Sequence, residues 1–142
     1  MININRMKLI MTVVLFCELI SMISAGTDCS AGVTLSNMDG SKKYVVDCEV
    51  GPPVVTFSNI YTSGEIIINS KSCPQTVTYS NMYNSGAITI NCRCKNCCLK
   101  TVTKSNMYNS GAITINCGCR NCCPQTNTES NMHNSGKISI NC

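Results

Sequence analysis

Sixteen residues recur five times along this chain, starting at Val33, Val55, Val77, Val102 and Asn127, and the third copy reads VTYSNMYNSGAITINC. The spacings between starts are 22, 22, 25 and 25 residues. A unit this short cannot bury a core of its own, so repetition at this period implies copies that bury their apolar faces against one another. The units 33–48, 55–70, 77–92, 102–117 and 127–142 fill most of the segment from residue 27 onward. That segment of about 116 residues is one domain's worth of chain.

Cysteine follows the repeat. Four units close on Cys48, Cys92, Cys117 and Cys142, and each of these has a second cysteine four residues before its start, at Cys29, Cys73, Cys98 and Cys123. The second unit carries Gly51 and Ser70 at these two places, so it lacks both members at once. Joint loss is what a bonded pair predicts, because losing one member strands a thiol. The expected disulfides are therefore Cys29–Cys48, Cys73–Cys92, Cys98–Cys117 and Cys123–Cys142. Cys94, Cys97, Cys119 and Cys122 remain, all in the two longer connectors, and their pairing is open.

Arg6 and Lys8 precede the apolar run from Leu9 to Cys17, and Ser24-Ala25-Gly26 gives a small-residue exit. This is the pattern of a secretory signal peptide over residues 1–26, too short and too broken at Glu18 to span a bilayer as a retained helix. Its removal takes Cys17 with it and leaves twelve cysteines, an even number. A secreted, extracellular protein with no membrane span after cleavage is expected. The mature part lacks Trp and has Phe57 as its only phenylalanine, so disulfides must supplement a thin core.

Within a unit, positions equivalent to Ile88 and Ile90 are always apolar or Tyr, whereas those equivalent to Tyr79 run Leu35, Phe57, Tyr79, Lys104, Glu129. Strand side chains alternate. The variable column is therefore assigned to water, and Thr78, Ser80 and Met82 are placed on the inner face with Ile88, Ile90 and Cys92. Asn84-Ser85-Gly86 suits a turn or corner. The expected fold is all-β: a small disulfide-rich repeat protein whose five two-strand units stack as a short β-solenoid, with tandem disulfide-closed β-hairpins as the alternative. Stacking is favoured because identical columns of Asn, Ser and Thr gain most when they lie on one another.

The connectors CRCKNCC (Cys92 to Cys98) and CGCRNCC (Cys117 to Cys123) resemble, over seven residues each, the thiolate clusters of metallothioneins, and their C-x-x-C steps resemble zinc sites. In a secreted chain with an even cysteine count, disulfides are the expected state, with no metal and no cofactor. Catalysis is not expected. His133 stands in a column otherwise filled by Asp39, Tyr61, Tyr83 and Tyr108, and the acidic residues occupy scattered repeat positions instead of converging on one groove. The nine basic and six acidic residues after position 26 are dispersed, which excludes a nucleic-acid footprint.

Ice binding meets a geometric objection at this level, since Thr78 and its equivalents are placed on the apolar face while the outward column Val45, Ile67, Thr89, Thr114, Ser139 is irregular. The expectation is a secreted non-enzymatic structural or adhesive interaction protein. Its partner would be an extracellular protein, a glycan, a matrix or another copy of itself. A secreted defence or venom-type effector is the alternative, and ice-binding or metal-thiolate roles rank below both.

Overall fold

In the computed structural model, residues 23–40, 42–61, 63–93, 99–118 and 124–141 are described. The strands are β1 (Ile23–Asp28), β2 (Val33–Asp39), β3 (Tyr44–Val50), β4 (Val54–Tyr61), β5 (Ile66–Ser70), β6 (Thr76–Tyr83), β7 (Ile88–Cys92), β8 (Thr101–Tyr108), β9 (Ile113–Cys117), β10 (Thr126–His133) and β11 (Ile138–Asn141). No helix occurs among the described residues. Odd-numbered strands form one sheet in the order β1-β3-β5-β7-β9-β11, and even-numbered strands form a second, β2-β4-β6-β8-β10. Every pairing is parallel, so each unit contributes one strand to each sheet and the chain winds as a β-solenoid of about five coils. Tandem hairpins, which would pair each unit antiparallel with itself, are excluded.

Register keeps like on like. Thr56 pairs Thr78 and Thr78 pairs Thr103; Ile68 pairs Ile90 and Ile90 pairs Ile115. The core lies between the sheets. Val77, Tyr79 and Met82 face Ile88 and Ile90, all buried, and the second and fourth coils repeat this with Val55, Phe57, Ile60, Ile66 and Ile68 and with Val102, Lys104, Met107, Ile113 and Ile115, whereas the equivalents in the last coil are exposed or half-buried. This corrects the face assignment made from the pattern of the units. Tyr79, Phe57, Leu35 and even Lys104 are inside, while Thr78 and Ser80 are on the outer surface; Met82, Ile88, Ile90 and Cys92 are inside as expected.

The cause is Asn81, whose φ of +53° breaks the two-residue alternation, so Met82 points inward without placing Thr78 and Ser80 there with it. Asn37, Asn59, Asn106 and Asn131 do the same at φ +51 to +54°. Asparagine tolerates this left-handed region better than other side chains. Each copy then links to the one before: Asn59 Nδ2 donates to Asn37 Oδ1 (3.2 Å), Asn81 to Asn59 (3.0 Å), Asn106 to Asn81 (2.9 Å) and Asn131 to Asn106 (2.8 Å). A second ladder runs Asp47, Asn69, Asn91, Asn116, Asn141 on the other sheet at 2.7–2.9 Å.

Asn84-Ser85-Gly86 forms a corner and not a reversal. Asn84 takes φ +50°, and glycine is required at position 86 because a Cβ there would lie 2.4 Å from the Gly64 carbonyl oxygen of the previous coil. Lys104 is fully buried in the column of Phe57 and Tyr79, and its Nζ donates to Glu129 Oε1 on the last coil. Asn127 and Glu129 replace the valine and the bulky side chain found at these core-facing positions in earlier coils, so β10 is polar where the other even strands are apolar. The N-terminal strand β1 starts inside the segment expected as signal peptide. Thr27 and Asp28, which pair with Cys48 and Val50, lie at or beyond the expected cut.

Candidate functional site

Among the described residues, the outer face of the five-stranded sheet carries the most regular array of hydroxyls. Because Tyr79 and Val77 turn inward, Thr76, Thr78 and Ser80 turn outward, and parallel register extends each into a column. One column is Thr34, Thr56, Thr78, Thr103, Thr128, and beside it runs Ser36, Ser58, Ser80, Ser105, Ser130. A third contains Val54, Thr76, Thr101 and Thr126. Neighbouring strands lie about 4.8 Å apart and alternate residues about 6.6 Å apart, so the hydroxyls form a near-rectangular grid. None of the three columns contains a charged residue. Thr is β-branched, so each side chain presents its hydroxyl and methyl in a restricted set of rotamers.

Along one border of this face runs an aromatic ladder. Tyr61 stacks on Tyr83 (centroids 5.3 Å apart), Tyr83 on Tyr108 (5.1 Å) and Tyr108 on His133 (4.9 Å), with ring planes within 7° of parallel. The rings cover one another's faces and turn their edges outward. His133 is exposed and forms the last ring of this stack. The outer face of the six-stranded sheet is different: Val45, Ile67, Thr89, Thr114 and Ser139 form an irregular column, and Lys43 pairs with Glu65 at 2.8 Å near its edge.

Among the described residues, one of the expected staples is formed, at one edge of the coils. Cys29 and Cys48 are bonded, with Cα atoms 5.5 Å apart. In the second coil Ser70 takes the place of cysteine: its hydroxyl donates to Ser72 O (2.6 Å) and accepts from Ser72 N (3.2 Å). Gly51 leaves room for this turn, since a Cβ there would fall 1.6 Å from Ser72 Oγ. The sulfurs of Cys73, Cys92 and Cys117 are buried and lie within 4.8 Å of one another. Cys92 therefore reaches Cys73 across its own coil and Cys117 on the next. In the thiol form, hydrogen bonds with Cys117 and then Cys73 push Cys92 up, while contacts with Cys73 and then Cys92 hold Cys117 below the ordinary thiol range.

Such a donor set suits a soft ion when reduced and a disulfide when oxidised. Cys94, Cys97, Cys98, Cys119, Cys122, Cys123 and Cys142 lie outside the described residues, so the Cys98–Cys117 and Cys123–Cys142 links and the four connector cysteines are placed by sequence alone.

Sequence reasoning missed the hydroxyl grid itself. The signal was present, because an asparagine fixed in all five copies marks a position of special backbone conformation, and Leu35, Phe57 and Tyr79 alternate with Val33, Val55 and Val77 as core residues do. No known protein family, curated protein or solved structure matches this chain.

Proposed function

We propose that this chain is a secreted, non-enzymatic adhesive protein whose partner is a regular, uncharged surface, and that ice is the surface its geometry fits best. The observation that carries the reading is the outward threonine column Thr34, Thr56, Thr78, Thr103, Thr128 beside its serine column, on a sheet held in register by asparagine ladders. Hydroxyls and methyls repeated on a rigid grid can hold surface water in a fixed array, and rigidity removes the ordering cost that a flexible surface would incur on binding. The objection drawn from the sequence, that these threonines face the core, falls with the corrected face.

Other partners find less support. A protein partner would be expected to use aromatic or arginine anchors at the centre of the patch, and this grid has none. A sugar chain would stack on open aromatic faces, but the Tyr61–His133 ladder has closed its ring faces on one another. End-to-end assembly of this chain into a structural fibre through the edge strand β10 would bury Asn127 and Glu129. The Cys29–Cys48 disulfide supports an oxidising, extracellular setting.

The test uses the secreted, oxidised protein with ice crystals in a nanolitre osmometer, together with partition into a growing ice phase. Faceted crystals and a gap between freezing and melting temperatures are expected, lost in Thr103→Lys and kept in Thr114→Lys on the opposite sheet. Round crystals and exclusion from ice would refute the reading. Recovery on an insoluble polysaccharide or in a self-assembled pellet would instead favour an adhesive or structural role of another kind.

A further inference from the structure

We infer that the third column of the grid, Thr76–Thr101–Thr126, sets the strength of surface binding, and that Val54 is the residue that ends it. This rests on the ice-binding reading above. The Thr78 and Ser80 columns run through all five coils, but the third carries hydroxyls in three coils only, since Val54 stands opposite Thr76 in β4. The full three-by-three grid therefore belongs to β6, β8 and β10, while β2 and β4 offer a strip two residues wide.

Backbone geometry makes the positions of the third column equivalent. At its start, the amides of residues 75 and 76 both donate to Pro53 O (2.9 and 3.4 Å), those of 100 and 101 to Gln75 O (2.8 and 3.1 Å), and those of 125 and 126 to Lys100 O (3.0 and 3.1 Å). The same paired clamp sets the height of these three rungs; Pro53 has no amide N–H to form it at position 54, but Val54 directly follows the clamp's acceptor and pairs in register with Thr76, so a hydroxyl introduced there falls into line with those of Thr76 and Thr101. Val54 is 42% exposed, and threonine has the same branching at Cβ, so nothing in the core opposes the exchange.

The column cannot extend one coil further. Gly32 precedes β2 with φ +103°, a conformation that disfavours a side chain, and a Cβ there would press on the Val54 carbonyl oxygen at 3.2 Å. Val54 is thus the one place where the sequence, and not the backbone, limits the width of the face.

The experiment compares Val54→Thr, Thr101→Val and, on the opposite sheet, Thr114→Val with the parent protein, reading the concentration that gives half-maximal hysteresis. One added hydroxyl in register should lower that concentration about twofold to fivefold, and Thr101→Val should raise it by a similar factor. Thr114→Val, which removes a hydroxyl off the grid, should leave it unchanged, and circular dichroism should show the three variants folded. If the parent shapes ice while Val54→Thr and Thr101→Val leave the concentration unmoved, the third column is idle and this inference alone fails. If the parent does not act on ice at all, the function proposed above fails and this inference with it.

Discussion

The two asparagine ladders differ in one respect that makes them an internal control. Asn106 in β8 donates to Asn81 Oδ1 at 2.9 Å, accepts from Asn131 at 2.8 Å, and holds φ at +52°. Asn91 in β7 likewise donates to Asn69 and accepts from Asn116, both at 2.9 Å, but sits in ordinary strand backbone. Asn91→Ala removes two side-chain hydrogen bonds worth about 1 kcal/mol each net, about 2 kcal/mol in all. Asn106→Ala removes two bonds and forces alanine into the left-handed region at a further ~1–2 kcal/mol, for a total of about 3–4 kcal/mol. Asn131→Ala at the ladder's end keeps the backbone penalty but loses one bond, so about 2–3 kcal/mol.

Urea unfolding with disulfides intact, followed by circular dichroism at constant m-value, measures all three. Asn106→Gly should recover the backbone part of the loss and not the bonded part. Equal losses for Asn91→Ala and Asn106→Ala would show that the left-handed backbone stores no strain for alanine, and losses near zero would show that the ladders merely decorate the sheets.

Removing the Cys29–Cys48 bond by double serine substitution should cost about 3 kcal/mol for a sequence separation of 19, measured by the shift in urea midpoint. Gly86→Ala should destabilise by about 2 kcal/mol or more, because the carbonyl it meets is backbone and the coils themselves must part; thermal melting reads the loss. Lys104→Met should be neutral or stabilising, whereas Glu129→Ala should cost about 3 kcal/mol by leaving a buried ammonium alone. The Lys104 ammonium holds the Glu129 carboxyl below its usual range, so its contribution is present above the ordinary carboxylate pKa and is lost as pH falls through the lowered one. Stability measured against pH should lose this acid-side slope in a Lys104→Met, Glu129→Gln double variant. Intact mass of the mature protein should show six disulfides and no alkylation before reduction; bound zinc, or free thiols at Cys92 and Cys117, would give the sulfur cluster to a metal.

Much of the coil was legible in the sequence. The period, the corner at Asn84-Ser85-Gly86 and the inward Ile88 and Ile90 followed from residue type and repetition, as did the Cys29–Cys48 bond. The face of the even strands was not, because alternation was carried through Asn81 as though its backbone were extended. A reversal of phase at one residue exchanges everything N-terminal to it between core and surface, and this is why Thr78 and Tyr79 traded places. Lys104 strengthened the wrong choice. A lysine in a column argues for water until the next coil supplies Glu129 within reach, a contact between residues 25 apart that no local pattern displays.

The repeats differ in length by three residues, and every added residue falls between the end of an odd strand and the start of the next even one: Ser70 to Thr76 in one case, Cys92 to Thr101 and Cys117 to Thr126 in the others. Yet Thr76 still meets Thr101, and Cys92 still meets Cys117, without a slip. The winding therefore has one corner where length is free and others where it is not. Foreign peptide inserted after Arg93 and ahead of the buried Leu99, with Leu99 and the Lys100 clamp kept, should leave every rung where it is, so the same corner that absorbed three natural residues offers a place to display a sequence of choice beside an undisturbed grid.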